Sequence, residues 1–172
     1  MKEAIYNPIL DTLANHQPKS PKQIEQALKG QGIDGAQVVE AVILLTSGGV
    51  LFAVQDDAVA AQVKRQTDKL NAHLCINSRG TTDIGYLASP VTGGGIPVAR
   101  FPQLFLLARS QGKSQPADWA AFAWSVLVAQ GQKILKEGKP LETAEENLAV
   151  LTVEATSFAE KKLPVLKALG IA

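Results

Sequence analysis

The chain has 172 residues, with 17 Lys and Arg against 16 Asp and Glu, and a formal net charge of +1. That balance excludes a dedicated nucleic-acid binder and a polybasic membrane surface. The hydrophobic fraction of 46% fills the core of one domain or two small ones.

Cys75 is the single cysteine, which excludes an internal disulfide and a cysteine-rich zinc site and fits a reducing cytoplasm. Met1-Lys2-Glu3-Ala4 lacks the apolar core of a signal peptide. No apolar run approaches the ~20 residues of a membrane span. A cytoplasmic location without a membrane partner is the expectation.

Taken in chain order, residues 3–15 predict a helix with Ile5, Ile9, Leu10 and Leu13 on one side, closed by Pro18. Ser20-Pro21-Lys22-Gln23 is a capping-box start, and the short helix after it buries Ile24, Ala27 and Leu28 before Gly30. A third helix opens near Asp34, with Val38, Ala41, Val42 and Leu45 at helical spacing, and breaks at Gly48-Gly49. Val50 to Val54 predicts a strand, and Asp56-Asp57 a turn. Three helices and a strand over residues 1–57 are the layout of a winged-helix-like unit with a minimal wing.

Residues 58–172 predict a helical domain. One long helix runs to about Asn77. Residues 79–98 form the only long non-helical stretch, in which residues 84–88 and 96–98 flank Gly93-Gly94-Gly95 as a hairpin. A helix over 101–110 and another from Pro116 or Ala117 to about Lys136 follow. The second is apolar nearly all round and should be central. Thr143-Ala144-Glu145-Glu146 caps a helix that buries Leu148, Leu151, Ala155 and Phe158, and Pro164 interrupts it. The fold class is therefore mainly α with minor β.

Gly30-Gln31-Gly32-Ile33-Asp34-Gly35 matches the dinucleotide fingerprint literally. The fingerprint needs a buried strand before its first glycine, however, and residues 23–29 read as a polar-faced helix. Thr92-Gly93-Gly94-Gly95 could cradle an anion, but no Walker lysine follows and Pro97 lacks a donor. His16 and His73 have no partner at metal-ligand spacing, and Ser78 and Ser89 lack a nucleophile-elbow context. Glu145 and Glu146 read as capping residues, and Trp119 and Trp124 as core. Residues 34–47 carry no Lys or Arg, and only Gln37 suits base reading, so no nucleic-acid partner is expected. Val38, Val39, Val42, Ile43, Leu44 and Leu45 predict a third helix buried on more than one side. No catalytic residue, bound cofactor or metal site is assigned.

The working surface is expected at residues 82–100, because a compact domain rarely keeps such a segment without a use. The candidate binding residues are Ser89, Thr92, Gly93, Gly94, Gly95 and Arg100, the last offering a forked donor to a carboxylate. The competing reading is a purely structural hairpin with Tyr86, Leu87 and Ile96 buried beneath it.

Three segments carry a resemblance. Leu87 to Pro97 with Phe101 to Ala108, Gly138 to Leu148, and Leu163 to Gly170 are similar to the C-terminal part of bacterial S-adenosylmethionine-dependent methyltransferases with a methyltransferase regulatory domain. That family includes protein lysine methyltransferases. The resemblance implies a non-catalytic regulatory or substrate-recognition region. It also implies a methyltransferase catalytic domain as partner, in the same chain or separate, and a protein substrate. A homo-oligomer stays open. The alternatives are a winged-helix transcription regulator with a helical ligand-binding or dimerisation domain, and a stand-alone small-molecule binding protein.

Overall fold

A computed structural model describes residues 3–172, and the chain divides into two compact units, Met1–Asp56 and Asp57–Ala172. It is mainly helical with two small antiparallel hairpins.

In the first unit, helices α1 (Glu3–Leu13), α2 (Pro21–Ala27) and α3 (Gly35–Ser47) enclose Ile9, Ile24, Leu28, Val38, Ala41 and Leu45. Each start has a local cause. Ser20 accepts from the Gln23 N–H while the Gln23 side chain accepts from the Ser20 N–H, and Pro21 sits where no helical N–H is needed. Asp34 and Gln37 form the same reciprocal box at α3. Gln37, the residue best suited to read a base, is thus engaged in capping its own helix.

Two expectations are corrected here. Residues 50–54 form no strand. The Val50 and Leu51 N–H groups close α3 on the Leu45 carbonyl, and no neighbouring strand among the described residues meets the backbone that follows. A strand without a partner leaves its ladder groups unmade. The third helix is also buried on one side only. Val38, Ala41 and Leu45 face the core, while Val39, Ile43 and Leu44 are 46%, 58% and 45% exposed.

In the second unit, α4 (Asp57–Asn77) leads into hairpin β1 (Tyr86–Ala88) and β2 (Gly95–Pro97). Helices α5 (Arg100–Ser110), α6 (Pro116–Ala129) and α7 (Ala144–Ser157) follow, with α6 packed against both α5 and α7. Trp119, Ala120, Ala123, Val126 and Leu127 bury the α6 face; Val128 stays outside. This helix stops at Ala129 and does not reach Lys136. Gly131 turns the chain at φ +64°, and the buried Asn147 accepts from the Ile134 N–H. Strands β3 (Leu135–Lys136) and β4 (Lys139–Pro140) then pair across Glu137-Gly138, both at positive φ, as a two-residue hairpin turn of this twist requires.

Pro164 does not interrupt the chain as expected. Residues Phe158–Lys162 widen into a π-turn, in which the Leu163 N–H reaches back five residues to the Phe158 carbonyl. The wider turn admits a proline that has no N–H and whose ring crowds the preceding carbonyls, so α8 (Leu163–Ala168) begins directly.

Candidate functional site

The β1–β2 hairpin is built from its backbone outward. Gly85 with Val98, and Ser89 with Gly94, bracket the ladder, so the Ala88 N–H and C=O point away from β2. Asn71 on α4 meets both: its Oδ1 accepts from the Ala88 N–H at 2.7 Å and its Nδ2 donates to the Ala88 carbonyl at 2.8 Å. A side-chain amide thus serves as the missing strand edge. Gln103 on α5, fully buried, donates from Nε2 to the carbonyls of Ile84 and Val98, both at 2.7 Å. Two carbonyls at one nitrogen fix the amide orientation, and they leave Oε1 as the one buried side-chain acceptor without a donor among the described residues.

The tip is tied to the end of the chain. Buried Ser89 donates from Oγ to the Leu169 carbonyl at 2.7 Å and accepts from the N–H groups of Val91 and Thr92. Pro90 is buried as well, and the Gly170 backbone, at φ +68°, lies so close that a Cβ there would meet Pro90 Cγ at 2.8 Å. Only glycine combines that left-handed conformation with that approach.

Every N–H from Ser89 to Gly94 is spoken for. Ser89 N–H donates to the Gly94 carbonyl, Val91 and Thr92 to Ser89 Oγ, Gly93 to the Ser89 carbonyl, and Gly94 to Thr92 Oγ1. Pro90 has none. An anion cradle works by aiming such groups at the ligand, and here they are aimed inward.

Thr92, Gly93, Gly94 and Gly95 therefore stand together at the tip, with the three glycines exposed, and Ser89 lies beneath them as their anchor. Arg100 is not with them. It sits beyond the open end of the hairpin, where Nε donates to the Ser78 carbonyl at 2.8 Å. Its two terminal nitrogens reach Gln132 Oε1, Gln130 Oε1 and the Arg79 carbonyl. Four of its five N–H donors are used internally, which corrects the expectation of a fork open to an outside carboxylate. The outer face of the hairpin shows Tyr86, 59% exposed, with its ring over Gly95 and its cross-strand partner Pro97 beside it. Leu87 and Ile96 lie beneath as foreseen; Tyr86 does not.

Sequence reasoning missed Asn71 and Gln103. The signal was present: Asn71 falls on the stripe Val63, Thr67, Leu74 and Cys75, and Gln103 between Phe101 and Leu104, where apolar residues are expected. An amide on a buried helical face needs a polar partner, and nearby irregular backbone supplies one.

Gly30 and Gly32, at φ +91° and +73°, turn the chain directly after α2 and not after a strand, so the fingerprint has no phosphate-facing geometry. His73 Nε2 lies 3.0 Å from Asn77 Nδ2 within its own helix. Among the described residues no three His, Cys, Asp or Glu side chains come together, and no helix is long and apolar enough to cross a membrane. The Thr143 N–H holds the Glu146 carboxylate below its ordinary range, as a capping role demands.

No described protein family and no solved structure matches the chain. It is 37% identical over 171 residues, 99% of its length, to an uncharacterized protein of Synechocystis sp.. It spans about a third of the length of that relative.

Cys75 lies on the α4 face that carries Asn71. Burial pushes its thiol from the ordinary 9.0 up to about 11. Folding favours the neutral thiol, so the associated stability is complete below pH 9.0 and is lost as pH rises through about 11. Urea titrations between pH 8 and pH 11 should show the wild type losing more stability than Cys75→Ala over that window. Parallel curves for the two proteins would contradict the assignment.

Proposed function

We propose that this chain is a non-catalytic recognition or regulatory region of a bacterial S-adenosylmethionine-dependent methyltransferase, and that the β1–β2 hairpin is the surface it presents. The observation that carries this reading is the contrast within the hairpin. Its inner side is locked by the buried Asn71, Ser89 and Gln103, while Tyr86, Gly93, Gly94 and Gly95 are exposed. A loop held rigid on a helical scaffold loses little entropy on meeting a partner, which is the usual arrangement of a recognition surface. The match to one third of a longer bacterial protein supports a module that works beside other domains. The cofactor is assigned to the partner domain, because neither glycine run of this chain directs free N–H groups outward from a strand-to-helix turn.

Calorimetry tests the division of labour: the 172-residue chain gives no binding heat with S-adenosylmethionine, whereas the full-length Synechocystis relative binds it one to one. A relative that neither binds the cofactor nor methylates any protein refutes the reading. A chimera in which this chain replaces the matching third of that relative tests the surface. Tyr86→Ala and Gly94→Val should cut protein methylation about tenfold while changing stability by no more than about 0.5 kcal/mol. Gly94 tolerates the valine because its own φ is ordinary and the space around it is open apart from Thr92 Oγ1 at 3.9 Å. Unchanged methylation by both variants removes the hairpin from the proposal.

A further inference from the structure

The first unit carries an apolar surface that its own fold leaves uncovered. Val39, Ile43 and Leu44 line a shallow depression on α3 together with Gly35, Ala36 and one charged residue, Glu40. Val50, Phe52 and Val54, just beyond the helix, are 56%, 43% and 46% exposed. At about half exposure each, these six side chains present on the order of 500 Å² of apolar surface, comparable to the largest patch on a typical monomer.

Two further observations bear on what covers it. Residues 41–55 contain no Asp, Glu, Lys or Arg, and Glu40 is the only charge between Gly35 and Gln55. Val50-Leu51-Phe52-Ala53-Val54 is also the most strand-competent run of the unit, yet the backbones of Phe52, Ala53 and Val54 make no hydrogen bond among the described residues. Strand-forming residues with unpaired N–H and C=O groups are a template for another chain. The uncharged run can face a copy of itself without like-charge repulsion, which is the main obstacle to an isologous contact.

We propose that residues 52–54, whose backbone groups are unclaimed, pair antiparallel with the same residues of a second copy, forming a two-fold dimer in which the α3 depression closes the sides. The strand absent from the monomer is then supplied by the partner copy. Two such faces bury on the order of 1,000 Å², the lower bound for a specific interface. Leu51 packs into the monomer core while Phe52 does not, so the surface is separable from the fold.

Sedimentation equilibrium of the purified chain tests this. The wild type should approach twice its 18.2 kDa mass at about 100 µM. Phe52→Lys and, independently, Val54→Lys should weaken the pairing about tenfold or more, with circular dichroism unchanged. A wild type that stays monomeric at that concentration overturns the proposal and gives the surface to a different protein. So does open-ended aggregation without a dimer plateau, or a dimer that neither folded lysine variant weakens.

Discussion

Phe158→Ala destabilises the second unit by about 3–5 kcal/mol, the usual cost of emptying an aromatic site in a packed core. Phe158 is 2% exposed and its ring stands between two others. Phe105 lies at a centroid distance of 5.6 Å and 56° tilt, and Trp119 at 6.1 Å edge-on. Truncation removes both ring pairs together with the apolar burial. It also removes the side chain at the first residue of the π-turn, where the chain leaves α7 for α8, so neighbouring helices cannot collapse inward freely. Denaturation followed by tryptophan emission isolates the effect, because both tryptophans, Trp119 and Trp124, lie in this unit. The midpoint should fall with the slope unchanged. A loss under about 1.5 kcal/mol would show that the aromatic cluster is not central to this core.

Asn71→Leu costs about 2 kcal/mol, and its effect is local. The leucine suits the α4 stripe by volume and hydrophobicity, so an argument from packing alone predicts no loss. The loss comes from the Ala88 N–H and carbonyl, which exchange hydrogen bonds with the asparagine and find no substitute on a leucine. Amide exchange should accelerate at Ala88 and Ser89 well before the core helices lose protection. Uniform acceleration across α5, α6 and α7 would mean that Asn71 supports the whole domain and not the hairpin. The same substitution in the chimera should lower methylation even below the unfolding temperature, because the Tyr86 surface loses its fixed position.

Helix existence was legible wherever a local cause acts within a few residues. The boxes at Ser20 and Thr143 satisfy helix-end N–H groups with side chains three positions away, and both form as read. The apolar spacing of α3 and α7 placed Val38 and Leu151 inside correctly. The glycine-rich hairpin was visible as the one stretch without helical period. What failed depended on neighbours. Residues 50–54 have strand propensity but no partner strand among the described residues, and propensity alone does not make a strand. The apolar run through Leu135 looked helical, yet Asn147 and the paired β3 and β4 backbones hold it out of α6.

The candidate site divides along the same line. Sequence by itself determined the composition of the tip, its three glycines and flanking prolines, and the absence of a basic recognition helix, because these are properties of residue type at given positions. Tertiary structure alone decided which tip groups are free. Ser89 is bound to Leu169, eighty residues away, and Arg100 to carbonyls and amides from two other loops. It also decided that Val39, Ile43 and Leu44 face outward. A hydrogen-bond donor or an apolar face is available only when nothing else in the folded chain has claimed it, and such claims are made by residues far apart in sequence.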